Sequence, residues 1–172
     1  MGAVCKLGRA LGLALWGYWT IRYRFPQLTA QQRADTVQAW AGRMLDILGI
    51  GREVQGAPPT VGPVLLVANH ISWLDILVLH AACYCRFVAK ADVQGWPLIG
   101  TLATGAGTLY VQREVRRDAM RVVHHMADAL RAGDVLAIFP EGTTSDGSQV
   151  LPFHANLFQS AVSAQAPVQA AA

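Results

Sequence analysis

The segment PVLLVANHISWLD, residues 63–75, decides the fold. Its first six residues are a continuous apolar run, which is typical of a strand buried on both faces of a sheet. Polar residues follow at Asn69 and His70, where we expect the strand to end, and Ser72 is a natural N-cap for a helix that begins nearby. The segment therefore predicts a buried strand, a short turn and a helix.

Further short apolar runs predict strands at residues 86–89, 108–111 and 135–139. Between the last two, residues 119–130 place apolar side chains on one helical face, and Gly133 follows as the residue that ends the helix. Strands that alternate with helices indicate an α/β fold, with a mostly parallel central sheet flanked by helices. Ligands bind such sheets outside the carboxyl ends of the strands.

Residues 1–50 are predicted to form an N-terminal helical region that associates with a membrane. The uncharged run at residues 10–21 is shorter than the roughly 20 apolar residues that a spanning helix needs. Its aromatic side chains lie next to Arg22 and Arg24, which favours a helix in the membrane interface over the core of an uncleaved signal peptide.

A second N-terminal helix is predicted over residues 30–48, because Thr29 and Gln32 have the spacing of a capping box. The glycine- and proline-rich residues 51–62 are then predicted to be a linker. The remaining residues, 63–172, form the predicted catalytic domain.

The composition narrows the class of function. Hydrophobic residues make up 53% of the chain and charged residues 15%, against about 25% charged in an ordinary soluble domain. The net charge of +3 is mild and suits an anionic membrane surface, and nucleic acid is not expected as a partner. Three cysteines without a Cys-x-x-Cys pair indicate neither a disulfide framework nor a zinc site.

His70 and Asp75 are the first candidate catalytic residues. Residues five apart on a regular helix point about 140° away from each other, so we place His70 in the turn before the helix. From there the imidazole can reach Asp75, which would orient it as a general base for a hydroxyl. Alternatively, an isolated His-x4-Asp pattern marks an ordinary surface or core histidine. The neighbouring Ser72 is interpreted as a helix cap and not as a nucleophile.

A second polar segment, FPEGTTSDG at residues 139–147, ends another apolar run. Its proline stops the strand and its glycines permit tight turns, so Glu141 and the following hydroxyls are expected to project into the crevice. Arg113 ends a third strand with a cation that suits a phosphate or carboxylate. An ordinary loop with this composition is the alternative interpretation.

These three segments together resemble the glycerolipid acyltransferases, the family of 1-acylglycerol-3-phosphate acyltransferases. Asn69, His70 and Asp75 match its Asn-His-x4-Asp block, residues 107–113 resemble its Gly-x-x-Phe-Ile-x-Arg block, and residues 139–143 match its Phe-Pro-Glu-Gly-Thr block. The resemblance covers residues 63 to about 169. Residues 166–169 resemble the start of the family's last conserved strand. Because family members normally continue beyond that strand, the resemblance implies that this domain is incomplete at its C-terminus.

The resemblance implies direct transfer of a fatty acyl group from acyl-CoA or acyl-carrier protein to the free hydroxyl of a lysolipid. It implies no metal and no cofactor beyond this co-substrate, and a location on the cytoplasmic face of the inner membrane, among membrane lipids. His70 as general base and Asp75 would be catalytic. The residues implied to bind the acceptor are Arg113, Glu141, Gly142, Thr143 and Thr144. Leu98, Ile99 and Leu102 are predicted either to line an acyl groove or to pack in the core.

Thr144 departs from the pattern, because most family members that use a phosphate acceptor have arginine there. The segments TTSDG and LPF, residues 143–147 and 151–153, resemble those of bacterial lyso-ornithine lipid acyltransferases, whose acceptor has no phosphate. Both acceptors therefore stay open. A non-catalytic lipid-binding fragment is a further alternative.

Overall fold

The computed structural model describes residues 2–111 and 116–172, and for residues 116–119 it describes the backbone alone. The described helices are α1 (Ala3–Trp19), α2 (Ala30–Leu48), α3 (Leu74–Ala82), α4 (Ile99–Gly105), α5 (Arg116–Arg131) and α6 (Gln159–Ala164). The described strands are β1 (Val64–Ala68), β2 (Arg86–Lys90), β3 (Leu109–Val111), β4 (Val135–Ile138) and β5 (Val168–Ala171). A π-helical turn at Thr20–Arg24 and short 3-10 turns complete the helical structure described.

The described strands form one parallel sheet in the order β3-β2-β4-β1-β5. Strand β1 lies between β4 and β5, with Val67 opposite Ile138 and Ala170. Helices cover both faces of the sheet, which confirms the predicted α/β class. The strand predicted at residues 166–169 is present as β5, on the edge of the sheet.

Alternation along β1 divides the core between the two faces of the sheet. Leu65 and Val67 pack with buried residues of α5 and α6 on one face. Leu66 packs on the other face with Phe87 and Ala137 and with side chains at and after α3, among them Ile76, Leu79, Cys83 and Cys85. Both of these cysteines are free and buried, as expected of small apolar residues.

The N-terminal helices add a further layer outside α3. Ala41 and Leu45 of α2 are fully buried in a cluster with Leu77 of α3 and apolar residues of α1. Hydrogen bonds join α1 to α2, among them one from Trp40 Nε1 to Leu13 O at 3.0 Å and one from Lys6 Nζ to Leu48 O at 2.8 Å. The predicted N-terminal region therefore packs directly on a helix of the predicted catalytic domain.

Helix α2 has the predicted bounds and the predicted cap. The Thr29 hydroxyl accepts a hydrogen bond from Gln32 N at 3.2 Å, and the Gln32 side chain accepts one from Thr29 N at 2.9 Å. Gly49 follows with a φ of +79°, as the predicted C-terminal residue. Within the described part of the chain, no helix is both long and apolar enough to span a membrane.

The start of α3 differs slightly from the prediction. The helix begins at Leu74, and its N-cap is Trp73 and not Ser72. Ser72 still satisfies a free backbone donor at this end, because its hydroxyl accepts a hydrogen bond from Leu74 N at 3.1 Å. Asp75 therefore lies in the first turn of the helix, close to the preceding turn.

Replacing Leu45 with alanine tests whether the N-terminal helices and the sheet domain unfold together. The cavity left in the α1–α2–α3 cluster should lower the free energy of unfolding by about 2–5 kcal/mol. We expect one transition in which circular dichroism and tryptophan fluorescence coincide. Leu7→Ala is the matched control, because this leucine on α1 is exposed and its loss should change stability by about 0.5 kcal/mol or less. Two separate transitions would contradict a single cooperative unit.

Candidate active site

The candidate site lies where β1 and β4 end side by side. His70 comes two residues after the end of β1, and Glu141 comes three residues after the end of β4. Because these strands are parallel neighbours, the turns that follow them meet at one edge of the sheet. The structure therefore brings the first and second predicted segments together.

His70 and Asp75 contact each other through their side chains. The His70 Nδ1 atom lies 2.8 Å from Asp75 Oδ2, and the same oxygen accepts hydrogen bonds from the backbone of Ile71 at 2.7 Å and Ser72 at 3.0 Å. Since a carboxylate only accepts hydrogen bonds, it holds the imidazole proton on Nδ1 and leaves Nε2 for another partner. The predicted placement of His70 in the turn is confirmed.

Glu141 is placed differently from the prediction. Its side chain does not project into the crevice, because the residue is only 5% exposed. One carboxylate oxygen accepts a hydrogen bond from His70 N at 2.7 Å, and the other accepts one from Leu151 N at 2.9 Å. Burial of a carboxylate is tolerated when its oxygens are hydrogen-bonded, and here those bonds join three separate stretches of chain. Glu141 therefore positions His70.

The loop after Glu141 holds the other side of the His70 backbone. Gly142 has a φ of +72°, a conformation that glycine adopts readily, and its N–H donates to Phe139 O at 3.0 Å. This turn leads the chain to Ser145, whose N–H donates to His70 O at 2.9 Å. The backbone donor and the backbone acceptor of His70 are thus both bound by the second segment.

Phe139 supports the His70 ring from one side. The two rings are stacked, with centroids 3.9 Å apart and an angle of 9° between their planes. Phe87 stacks behind Phe139 at 5.5 Å, so the support extends into the core. The stacked rings therefore fix the plane of the His70 imidazole.

An apolar cavity of about 520 Å³ opens beside the His70 ring. Its wall combines residues of the N-terminal helices with residues of α3 and α4; those that contribute include Trp16, Ile21, Val37, Trp40, His70, Trp73, Leu77, Ile99 and Leu102. Ile99 and Leu102 thus line a groove, which was one of the two interpretations predicted for them. A cavity with such walls fits a hydrocarbon chain, whose methylene groups bring no polar atoms that would need partners.

The other predicted acceptor residues differ in how they are placed. Thr144 lines the cavity together with His70. Thr143 is exposed on the same loop. Arg113 lies outside the described residues, and its predicted role stays a prediction. Across the described ranges, no group of three or more His, Cys, Asp or Glu side chains is placed to hold a metal ion.

His80 is a polar residue in the cavity wall that the sequence did not single out. It is 5% exposed, and its Nδ1 atom has no hydrogen-bond partner in the described part of the chain. Burial lowers the pKa of His80 from 6.5 to about 4, so the ring is neutral at physiological pH. A lone histidine in an apolar helix gives no sequence signal for a site, since buried histidines are common.

The sequence also did not predict that α1 and α2 form part of the cavity wall. The N-terminal region was predicted to associate with a membrane. Nothing in the spacing of Trp16, Ile21 or Trp40 connects these residues with residues that are 30 or more positions away in the chain. The surplus of apolar residues was the available signal. Part of that surplus encloses the cavity.

Known proteins resemble this chain in sequence and in fold. The family model named Acyltransferase matches residues 51–172. The chain belongs to the acyltransferase family. A 1-acyl-sn-glycerol-3-phosphate acyltransferase of Neisseria gonorrhoeae is 42% identical over 143 residues, which are 83% of this chain and 56% of that protein. A lyso-ornithine lipid O-acyltransferase of Pseudomonas aeruginosa is 39% identical over 161 residues, which are 93% of this chain and 62% of that protein.

The fold of this acyltransferase-family chain also matches a solved structure. The crystal structure of the 1-acyl-sn-glycerophosphate acyltransferase PlsC from Thermotoga maritima superposes with a TM-score of 0.71. The match covers 94% of this chain and 73% of that chain, at 21% sequence identity, and it shows the shared fold. The chain spans 56–62% of the length of the two curated relatives described above.

Replacing Glu141 with glutamine tests the positioning role. Glutamine offers one acceptor oxygen where the carboxylate offers two, so one of the two backbone donors loses its charge-assisted bond. The free energy of unfolding should fall by about 1.5–3 kcal/mol, and the His70 amide should exchange with solvent faster. Glu53→Gln is the control, because Glu53 is exposed and is distant from Glu141 in the sequence. Unchanged stability together with unchanged His70 exchange would contradict this role.

Proposed function

We propose that this protein is a lysolipid O-acyltransferase that moves a fatty acyl group from a thioester, acyl-CoA or acyl-carrier protein, to a lysolipid hydroxyl. The observation that carries the proposal is the contact of 2.8 Å between His70 and Asp75 at the mouth of the apolar cavity. A base next to a polar rim suits a hydroxyl nucleophile, while the cavity suits the hydrocarbon chain of the same reaction.

The proposed reaction proceeds without an acyl-enzyme. His70 Nε2 takes the proton of the lysolipid hydroxyl as its oxygen attacks the thioester carbonyl carbon, forming a tetrahedral intermediate. The carbon–sulfur bond then breaks, and the thiolate leaves with the proton that His70 held. Asp75 stabilises the imidazolium between the two steps, much as the aspartate does in a Ser-His-Asp triad. Glu141 acts through His70, by keeping its backbone in place.

For the acceptor, we propose 1-acyl-sn-glycerol-3-phosphate, with lyso-ornithine lipid as the alternative. Relatives of both names are similar to this chain to nearly the same extent, at 42% and 39% identity. Thr144 lies in the cavity wall beside His70, in the region where a headgroup would enter. We propose that Arg113, Gly142, Thr143 and Thr144 contribute to the headgroup side of the site, with Arg113 as the cation for an anionic group.

We also propose that α1 rests on the cytoplasmic face of the membrane that supplies the lysolipid. One side of α1 exposes a stripe of large apolar residues at helical spacing, comprising Val4, Leu7, Leu11, Leu15 and Trp19. Arg22 and Arg24 follow this stripe and suit lipid phosphates. Because α1 also lines the cavity, a lipid acceptor would have a short path from the membrane to His70.

Replacing His70 with alanine tests the general base. We expect the rate of acyl transfer from labelled acyl-CoA to lysophosphatidate to fall by about 10²–10⁴-fold, because proton removal from the hydroxyl loses its catalyst. His125→Ala is the matched control, since His125 is exposed on α5, on the other face of the sheet, and should keep full activity. Transfer that survives in His70→Ala would contradict the assignment. Release of CoA that depends on added lysolipid in the wild type would exclude the non-catalytic lipid-binding alternative, and lipid binding without any release of CoA would favour it.

The acceptor is tested by offering lysophosphatidate and lyso-ornithine lipid in equal amounts and identifying the products by mass spectrometry. We expect the main product to be phosphatidate, because the protein retains a candidate phosphate-binding cation at Arg113. In Thr144→Arg, the share of the phosphate product should rise further, since a second cation stands at the cavity mouth. A wild type that acylates only the ornithine lipid would overturn the phosphate proposal and leave acyl transfer itself intact.

A further inference from the structure

We propose that the backbone N–H groups of Thr143 and Thr144 form an oxyanion hole, which binds the negative oxygen of the tetrahedral intermediate. This assignment rests on the proposed acyl transfer, because that reaction creates such an oxygen beside His70. It goes further by giving a catalytic role to the backbone of the loop after β4. The side chains of the two threonines keep the headgroup role described above.

Acyl transfer places a negative charge on the carbonyl oxygen of the thioester. When the lysolipid oxygen attacks the carbonyl carbon, the electron pair of the C=O double bond moves to that oxygen, and it returns when the carbon–sulfur bond breaks. Such a charge is costly beside an apolar cavity unless hydrogen-bond donors face it. Within the described ranges, neither lysine nor arginine lines the cavity, so the donors available in its wall are neutral ones.

The loop after β4 carries two consecutive amides that are free to donate. The N–H groups of Thr143 and Thr144 have no hydrogen-bond acceptor among the described residues. The amides on either side are bonded: that of Gly142 closes a turn at 3.0 Å, and that of Ser145 donates to His70 O at 2.9 Å. Both threonines are exposed, so a bound molecule can reach this part of the loop.

This pair of donors is held next to His70. Glu141 accepts a hydrogen bond from His70 N at 2.7 Å, and Ser145 N donates to His70 O, so both ends of the stretch 142–144 are fastened to the His70 backbone. Because consecutive Cα atoms are about 3.8 Å apart, the two amides stay within roughly 10 Å of that backbone. Thr144 also lines the cavity together with His70. The free donors therefore lie beside the proposed base.

The conformation of the loop suits an anion. Gly142 has a φ of +72°, and successive N–H groups in a turn that contains a left-handed residue form a concave site for anions. Since hydrogen bonds hold this loop before a substrate arrives, its donors need little reorganisation when the charge develops. The thioester carbonyl carries only a partial charge in the ground state and gains less from the same contact. The two amides should therefore raise kcat more than they lower KM.

Replacing the Thr143 or the Thr144 amide with an ester, by incorporating the corresponding α-hydroxy acid, removes one N–H and keeps the side chain. The carbonyl oxygens that this change weakens, those of Gly142 and Thr143, accept no hydrogen bond among the described residues. For each ester, we expect kcat for palmitoyl transfer from palmitoyl-CoA to fall by about 10²–10³-fold, as when one donor is removed from an oxyanion hole. KM for lysophosphatidate should stay close to the wild-type value.

The matched control is an ester at Gln149, an exposed residue further along the same loop whose amide also has no partner among the described residues. It should keep the wild-type kcat. An unchanged kcat in both threonine esters would overturn the oxyanion hole. A rise in KM for lysophosphatidate in place of the fall in kcat would also overturn it, because the amides would then bind the phosphate of the acceptor.

A second measurement uses the unaltered chain and needs no turnover. Palmityl trifluoromethyl ketone adds water to give a tetrahedral adduct, whose oxygen resembles the oxyanion. We expect this compound to shift the amide proton signals of Thr143 and Thr144 downfield in the NMR spectrum and to leave that of Gln149 in place. A shift of the Trp73 indole signal shows that the compound is bound, since Trp73 lines the cavity.

Unmoved threonine amide signals, or no binding of the ketone, would overturn the oxyanion hole and leave acyl transfer standing. A wild type that transfers no acyl group to either lysolipid would instead overturn the proposed function. The NMR measurement then still decides whether the two amides bind a tetrahedral oxygen.

Discussion

Parallel pairing of β1 with β4 is the constraint on which the site depends. It places two polar turns at one edge of the sheet, and the buried Glu141 carboxylate then binds the backbone of His70 and Leu151. With Ser145 bound to the His70 carbonyl and Asp75 bound to its ring, the orientation of the imidazole is set from several directions. An imidazole held in this way loses little freedom when a further group binds to it.

The N-terminal helices form part of the wall of the apolar cavity beside His70. They pack on α3 around Ala41, Leu45 and Leu77, and they enclose an apolar cavity against which His70 lies. The site thus joins a polar, hydrogen-bonded edge of the sheet to an apolar chamber. An amphipathic molecule, with a polar reacting end and a hydrocarbon chain, satisfies both parts at once, which is the physical basis of the proposed lysolipid chemistry.

Predictions from the sequence succeeded where the interaction is local. The Thr29–Gln32 capping box and the His70–Asp75 contact each join residues at most five positions apart, so their geometry follows from the spacing. Glu141 was expected to point into the crevice, and this was wrong, because its partners at His70 and Leu151 come from other turns. Ser72 was predicted to be the N-cap of α3, but the N-cap is Trp73. The Ser72 hydroxyl still accepts a hydrogen bond from the first turn of the helix.

By itself, the sequence determined the α/β class, the buried strands and the dyad, because periodicity and short spacing dictate which side chains must be hidden and which can meet. Only the tertiary structure decided that Glu141 supports His70, that α1 and α2 form a cavity wall and that His80 stands unpaired within it. These features depend on which distant elements pack together. Packing is settled by the mutual fit of whole faces, and no single stretch of sequence carries that information.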